Sequence, residues 1–207
     1  EALFTINEEV GMDGAVGLKP GVLKGEILLN CDSEEEGELF VGCAGGADLN
    51  VSMQFKEDTY IPEGDVAVKI CLTGLKGGHS GVDIHLGRAN ANKLMFRFLK
   101  EAVRDYGARL SSIDGGSLRN AIPREAFAVI TIPGDNVEAL WELVSDYQEM
   151  YRSEYKGIEH NINFMAEMTD MPATLIPEEI QDDLINAIEG CQNGVISMLV
   201  DFPGTVE

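Results

Sequence analysis

The sequence has few cysteines and no long apolar run. Its 4 cysteines are scattered along 207 residues and form no CxxC pair, so the spacing of a zinc finger is absent. No segment reaches the roughly 18 consecutive apolar residues of a transmembrane helix. Scattered cysteines without a disulfide framework favour a reducing compartment, and we expect a cytoplasmic protein.

Basic residues are also scarce. The chain has 15 lysines and arginines against 36 acidic residues, a formal net charge of −21. Binding to phosphates needs clustered cations, so this balance excludes a nucleic-acid surface and disfavours an anionic membrane. The apolar content of 44% is ample for a buried core.

Three carboxylates near the start could form half of a metal site. Glu8 and Glu9 follow the apolar run at 2–6, and Asp32 follows another at 26–30. Both runs are predicted as strands, with a glycine-punctuated helix near 12–19 between them. Carboxylates at strand ends can bind a divalent cation through oxygen. One glutamate would bind the metal while its neighbour accepts a proton from the metal-bound water. The alternative is an exposed acidic loop.

Histidine is rare, and the 3 histidines all lie beyond residue 78. His79 stands among four glycines within 74–81, a pattern that allows close backbone approach. It could donate a hydrogen bond to a developing oxyanion, or simply bond the local backbone as a turn residue. His85 could support the role of His79 from a nearby position. His160 alternates in step with Ile158 and Ile162, so it should share their strand face and lie in or beside the core.

A third polar group follows Gly115 and Gly116. Asn120 offers both a donor and an acceptor to a substrate. Arg119 or Arg124 could hold a substrate carboxylate with paired N–H groups, or be an ordinary surface arginine of a hairpin.

Hydrophobic periodicity predicts an α+β domain from residue 65 onward. The order of elements is β-α-β-β-α-β, and a four-stranded antiparallel sheet with two helices on one face would bury their apolar sides. The predicted strands are 65–73, 109–113, 125–132 and 158–165, and the predicted helices are 88–106 and one capped by Asp135 or Asn136. Further strands at 47–55 and 194–202 and a helix from Pro177 to about 190 are also predicted.

Four segments together resemble a known family, in the same order along the chain. They are TINEEVGMDGAVGL, NCDSEEEGELFVGCAGG, LKGGHSGVDIHLGRANANKL and LRNAIPREAFAVI. They resemble the bacterial aminoacyl-histidine (Xaa-His) dipeptidases, a branch of the di-zinc exopeptidases that includes carnosinases and aminoacylases. The residue before the Glu pair is often Asp or Thr in that family, whereas here it is Asn7.

The resemblance implies a role for each candidate residue. Glu8 would be the general base, Glu9 a ligand of one zinc and Asp32 a ligand of the other. His79 would reach from the partner subunit of a homodimer to stabilise the tetrahedral intermediate, and Asn120 would hold the substrate. Arg119 stays a local candidate for the substrate carboxylate, because the family's arginine is expected beyond residue 207.

The resemblance also implies a domain organisation. Residues 1–44 would be a slice of a catalytic α/β domain, and residues 45–207 most of a ferredoxin-like lid and dimerisation domain. We therefore expect an internal segment of a cytoplasmic zinc dipeptidase that prefers Xaa-His substrates. The alternatives are a broader dipeptidase, an N-acyl amino acid amidohydrolase, or, for these residues in isolation, a non-catalytic lid module.

Overall fold

The computed structural model describes residues 1–8, 11–32, 36–42, 45–201 and 206. The chain divides into two compact units, Glu1–Asn50 and Val51–Glu207. The boundary that the sequence predicts adjoins residues 43 and 44, which lie outside the described residues, so it stays a prediction.

The first unit contains one short helix, α1 (Asp13–Val16), and no strand among its described residues. The predictions of strands at 2–6 and 26–30, and of a helix as long as 12–19, are wrong for this structure. An isolated strand is unstable because its backbone groups need a neighbour and its apolar side needs a cover. Neither is present in this unit, where Phe4 is 91% exposed.

The second unit is built on a four-stranded sheet. Its elements in chain order are β1 (Asp65–Thr73), β2 (Gly78–His79), α2 (Ala91–Tyr106), β3 (Arg109–Gly115), β4 (Ala121–Ile122), β5 (Ala126–Pro133), α3 (Val137–Glu154), β6 (Asn163–Met168) and α4 (Glu178–Gly190). The strand order in the sheet is β3-β5-β1-β6, and each neighbouring pair is antiparallel. This is the ferredoxin-like arrangement that the sequence predicts, and the fold class is confirmed.

The core lies between the sheet and its helices. Every second residue of β1 from Val68 onward, namely Val68, Ile70 and Leu72, is completely buried. Phe98 of α2 meets Phe164 of β6 edge to face, with ring centroids 4.9 Å apart. The period of two in the strands and the helical stripe of α2 thus converge on one core, as their patterns indicate.

The starts of the two long helices differ. Asn90 caps α2, because its side chain accepts hydrogen bonds from the amides of Asn92 and Lys93. Asn136 stands at the N-cap position of α3 but makes no side-chain cap. Its amide nitrogen instead donates to the carbonyl of Tyr106 at 2.9 Å, so the predicted cap is wrong.

The last part of the unit departs most from the sequence prediction. Strand β6 begins at Asn163 rather than near residue 158, and His160 lies before it with an exposed side chain. The placement of His160 in the core is therefore wrong.

Two further predicted strands are also not observed. The described residues within 47–55 and 194–202 form no strand, and Met198 makes only a single bridge in the second of these segments.

In the described part of the chain, no helix combines the length and the apolar character that a membrane span requires.

Candidate active-site loop

Two of the predicted site residues lie on neighbouring segments. The short strands β2 and β4 pair antiparallel, with His79 opposite Ala121. The amide of Ser80 donates to the carbonyl oxygen of Asn120 at 2.8 Å. The pairing therefore brings His79 and Asn120 together across about 40 residues of chain, through backbone contacts that make the arrangement largely independent of side-chain motion.

The ring of His79 is oriented by its own loop. Its Nδ1 accepts hydrogen bonds from the amides of Gly81 at 3.0 Å and Val82 at 3.1 Å. A neutral imidazole with Nδ1 as acceptor carries its proton on Nε2. The side chain is exposed, so the Nε2–H group is available to an incoming oxygen. The sequence leaves two roles open for His79, bonding to the local backbone and donating to a substrate oxygen. The two are compatible, because the first uses Nδ1 and the second would use Nε2–H.

The side chains of Asp83 and Arg88 stabilise the loop that carries His79 by hydrogen bonds to its backbone. The backbone amide of His79 donates to Asp83 Oδ2 at 2.9 Å. Arg88 Nη1 donates to the same oxygen at 3.1 Å and to the carbonyl of Gly77 at 2.8 Å. Neither residue is among the candidates predicted from the sequence. Their spacing, four and nine residues after His79 in a loop that is otherwise poor in charge, is the signal that could have indicated them.

Gly78 has no room for a side chain. Its φ is +141°, and an added Cβ would overlap the Arg88 guanidinium and lie 2.6 Å from Asp83 Oδ2. The glycine beside His79 therefore allows the charged pair to pack directly against the backbone that carries the histidine.

A cavity of about 440 Å³ lies beside this pairing. Its polar lining includes Ser80, Asn90, Asn92, Ser117, Arg119 and Asn193. Arg119 lines this cavity, whereas Arg124 is not part of the lining and its side chain lies near Gly77. The role of Arg119 in binding a substrate stays a prediction.

His85 belongs to a short 3-10 helix, Ile84–Leu86, in the same loop. Its side chain is exposed, and a supporting role beside His79 stays a prediction.

Glu8 stands in a tight turn of the first unit. Asn7 adopts a left-handed φ of 58°, which asparagine tolerates better than most residues. Its carbonyl accepts the amide of Met12 at 2.6 Å, and its side chain donates to Asp13 Oδ2 at 3.1 Å. These bonds close the turn and leave Glu8 exposed.

The other predicted metal ligands are less defined. Glu9 lies outside the described residues. Asp32 is exposed, and its amide donates to Asn30 Oδ1 at 3.0 Å. The described residues bring together no group of three or more His, Cys, Asp or Glu side chains that could hold a metal ion.

Comparison with known proteins agrees with the fold and with the order of the motifs. Residues 71–159 match the family model of the peptidase dimerisation domain. The whole chain is 42% identical to the cytosol non-specific dipeptidase of Escherichia coli K12 and spans 42% of that protein. The solved structure of aminoacylhistidine dipeptidase from Vibrio alginolyticus is 43% identical, with a TM-score of 0.79 over 98% of this chain and 41% of that one.

The chain therefore spans about two-fifths of the length of these relatives. The similarity runs through all four motifs and through the unit that carries His79. Residues 71–159 belong to the peptidase dimerisation domain family, and the chain as a whole is similar to an aminoacylhistidine dipeptidase and to a cytosol non-specific dipeptidase.

Proposed function

We propose that the protein hydrolyses dipeptides in the cytoplasm, with a preference for a C-terminal histidine. The observation that carries this proposal is the 42–43% identity over essentially the whole chain to two dipeptidases. The orientation of His79 supports it independently, because a fixed Nε2–H donor suits a reaction in which a carbonyl oxygen gains negative charge.

In the proposed reaction each residue of this chain has a separate task. Glu8 accepts a proton from the attacking water and passes it to the leaving amine, first as a general base and then as a general acid. His79, supplied by the partner subunit of a homodimer, donates its Nε2–H to the carbonyl oxygen. Asn120 and Arg119 hold the substrate beside the cavity that Arg119 lines.

We also propose that the protein binds two zinc ions per active site, with Glu9 and Asp32 among the ligands. The described residues do not by themselves form a metal site, so the support for this assignment is the resemblance of the motifs. When bound, zinc would supply a Lewis acid for the carbonyl and its water. Metal analysis of the intact protein tests the assignment directly: an Asp32→Ala variant should lose bound zinc, and unchanged zinc content would contradict it.

The homodimer is proposed from the match of residues 71–159 to a dimerisation domain. Analytical ultracentrifugation of the intact protein should give twice the mass of one chain. Residues 1–207 expressed alone should show no chelator-sensitive peptidase activity, because the described residues bring together no group of three or more metal-binding side chains.

A broader dipeptidase is the second candidate, and the name of the Escherichia coli relative favours it. Steady-state rates on Ala-His, Ala-Ala and N-acetyl amino acids separate the possibilities. Our proposal requires the highest kcat/KM on Ala-His. Equal values for Ala-His and Ala-Ala would favour the broader dipeptidase, and turnover only of N-acetyl amino acids would favour an amidohydrolase.

A further inference from the structure

A buried carboxylate outside the candidate site lies against the loop that carries His79. Glu159 follows α3, and only 4% of its surface is exposed. Its Oε2 accepts the amide of Lys76 at 2.8 Å, and its Oε1 accepts the amide of Ala89 at 3.1 Å. Each oxygen thus has a backbone donor, as buried polar atoms require.

The two donors mark the two ends of one loop. Lys76 lies three residues before His79, and Ala89 ten residues after it. A single carboxylate, separated from them by 83 and 70 residues in sequence, therefore closes the base of the loop. The bonds that Asp83 and Arg88 make lie within the loop, so only Glu159 among these three ties the loop to the end of α3.

The hydrogen bonds of Glu159 are of a strong kind. Bonds from amides to a carboxylate are roughly twice as strong as those between neutral groups. Burial increases the effect of losing one, since an amide left without an acceptor keeps its full desolvation penalty. An uncharged substitute would therefore loosen the loop at its base while leaving the sheet and helices in place.

We propose that Glu159 is a positioning residue for His79: it fixes the base of the 76–89 loop so that the histidine stands where the carbonyl oxygen of the substrate gains charge. This inference rests on the function proposed above. Glu159 itself does not contact the substrate in this account, and its effect on the reaction is transmitted through the loop.

The experiment is a double-mutant cycle in the intact protein. Glu159→Gln keeps the size of the side chain, but its amide can offer an acceptor to only one of the two backbone donors. It is measured alone and together with His79→Ala, with kcat and KM on Ala-His as readouts. Glu154→Gln is the matched control, because Glu154 is an exposed glutamate near the end of α3 whose ion pair is with Arg97.

We expect Glu159→Gln to lower kcat about tenfold with little change in KM, since a displaced catalytic group can cost up to about 10²-fold. In the His79→Ala background the same substitution should lower kcat by less than about twofold, because residues that act as one unit are not additive. Glu159→Asp should recover part of the loss by keeping the charge. Glu154→Gln should behave like wild type.

Amide hydrogen exchange gives a readout that does not depend on activity. Glu159→Gln should speed exchange in peptides that cover residues 76–89 and leave the α2 and α3 peptides protected. General acceleration would mean a loss of folding and would overturn the positioning role. So would an equal loss of kcat in both backgrounds, or no loss in either.

The failure of the proposed function has a different signature. If His79→Ala itself retains wild-type kcat, the role of His79 is wrong and this inference falls with it, even when exchange at residues 76–89 is faster. If His79→Ala is severely impaired and Glu159→Gln is not, the proposed function stands and the role of Glu159 alone is rejected.

Discussion

Asp83 holds the backbone of His79, accepting its amide at 2.9 Å through the same carboxylate oxygen that accepts Arg88. Removing that acceptor frees the segment that orients the imidazole. We expect Asp83→Ala to lower kcat about tenfold on Ala-His with a smaller change in KM, since the loss is one of orientation.

The matched control for this variant is Asp146→Ala, which removes an exposed carboxylate of α3. It should keep wild-type kinetics. Identical behaviour of the two variants would show that Asp83 has no special connection with His79.

Gly78 provides a steric test of the same loop. An added methyl group at this position meets the Arg88 guanidinium and the Asp83 carboxylate, at a φ of +141°. Gly78→Ala should therefore lower kcat more than Asp83→Ala does, because it displaces both partners and strains the backbone.

Gly157→Ala separates strain from overlap. Gly157 also has a positive φ, of +89°, but nothing lies within 4 Å of the added Cβ. Activity assays on both variants should show a loss confined to Gly78→Ala. A comparable loss in Gly157→Ala would mean that backbone strain anywhere in the unit is sufficient.

Sequence periodicity predicts the elements of the second unit because its information is local. The alternation through Val68 and Ile70 fixes which face of β1 is buried, and the stripe through Phe98 does the same for α2. The prediction of strands in the first unit was wrong for a physical reason. A run such as 26–30 forms a strand only against a neighbouring strand, and the first unit has none among its described residues.

The support of the site could not be predicted from the sequence in the same way. His79 and Asn120 are recognisable as candidate residues from their glycine-rich surroundings and their order. Glu159 is not, because its role depends on two backbone amides more than 69 residues away, and no periodic pattern encodes such a contact.

Lys93 of α2 joins this helix to the end of α4. Its Nζ donates to the carbonyls of Ile188 at 2.7 Å, Glu189 at 2.8 Å and Cys191 at 2.8 Å, at the C-terminal end of α4. Lys93→Met removes these bonds from carbonyls that have no helical partner, and should lower the free energy of unfolding by about 1–3 kcal/mol.

Urea unfolding followed by circular dichroism measures this effect. Lys100→Met, at an exposed position of α2, is the control and should change stability by less than about 0.5 kcal/mol. Equal stability of the two variants would contradict the capping role of Lys93.

The buried tyrosines predict how stability depends on alkaline pH. Burial raises the pKa of Tyr151 well above its ordinary value of 10.0, and burial together with Glu101 raises that of Tyr147. The folded state therefore holds these protons more tightly than the unfolded state does. The contribution of these two tyrosines to the free energy of unfolding is fully present below about pH 10 and is lost as the pH rises above it.

Tyr151→Phe tests this assignment. The variant loses the hydrogen bond from the tyrosine hydroxyl to the carbonyl of Leu94 at 2.6 Å, so it starts less stable at neutral pH. Its unfolding free energy should then fall less than that of wild type between about pH 8 and about pH 10.5. Tyr60→Phe, at a side chain that is 76% exposed, should keep the wild-type slope, and the assignment fails if Tyr151→Phe keeps it too.

The most direct test of the central claim is the steady-state kinetics of His79→Ala in the intact protein with Ala-His as substrate. We predict a kcat lower by about 10²–10³-fold, the usual effect of removing one oxyanion donor, with a much smaller change in KM. The same loss should occur across the pH range in which wild type is active, while metal content and the mass of the assembly stay unchanged. A variant with wild-type kcat would contradict the account.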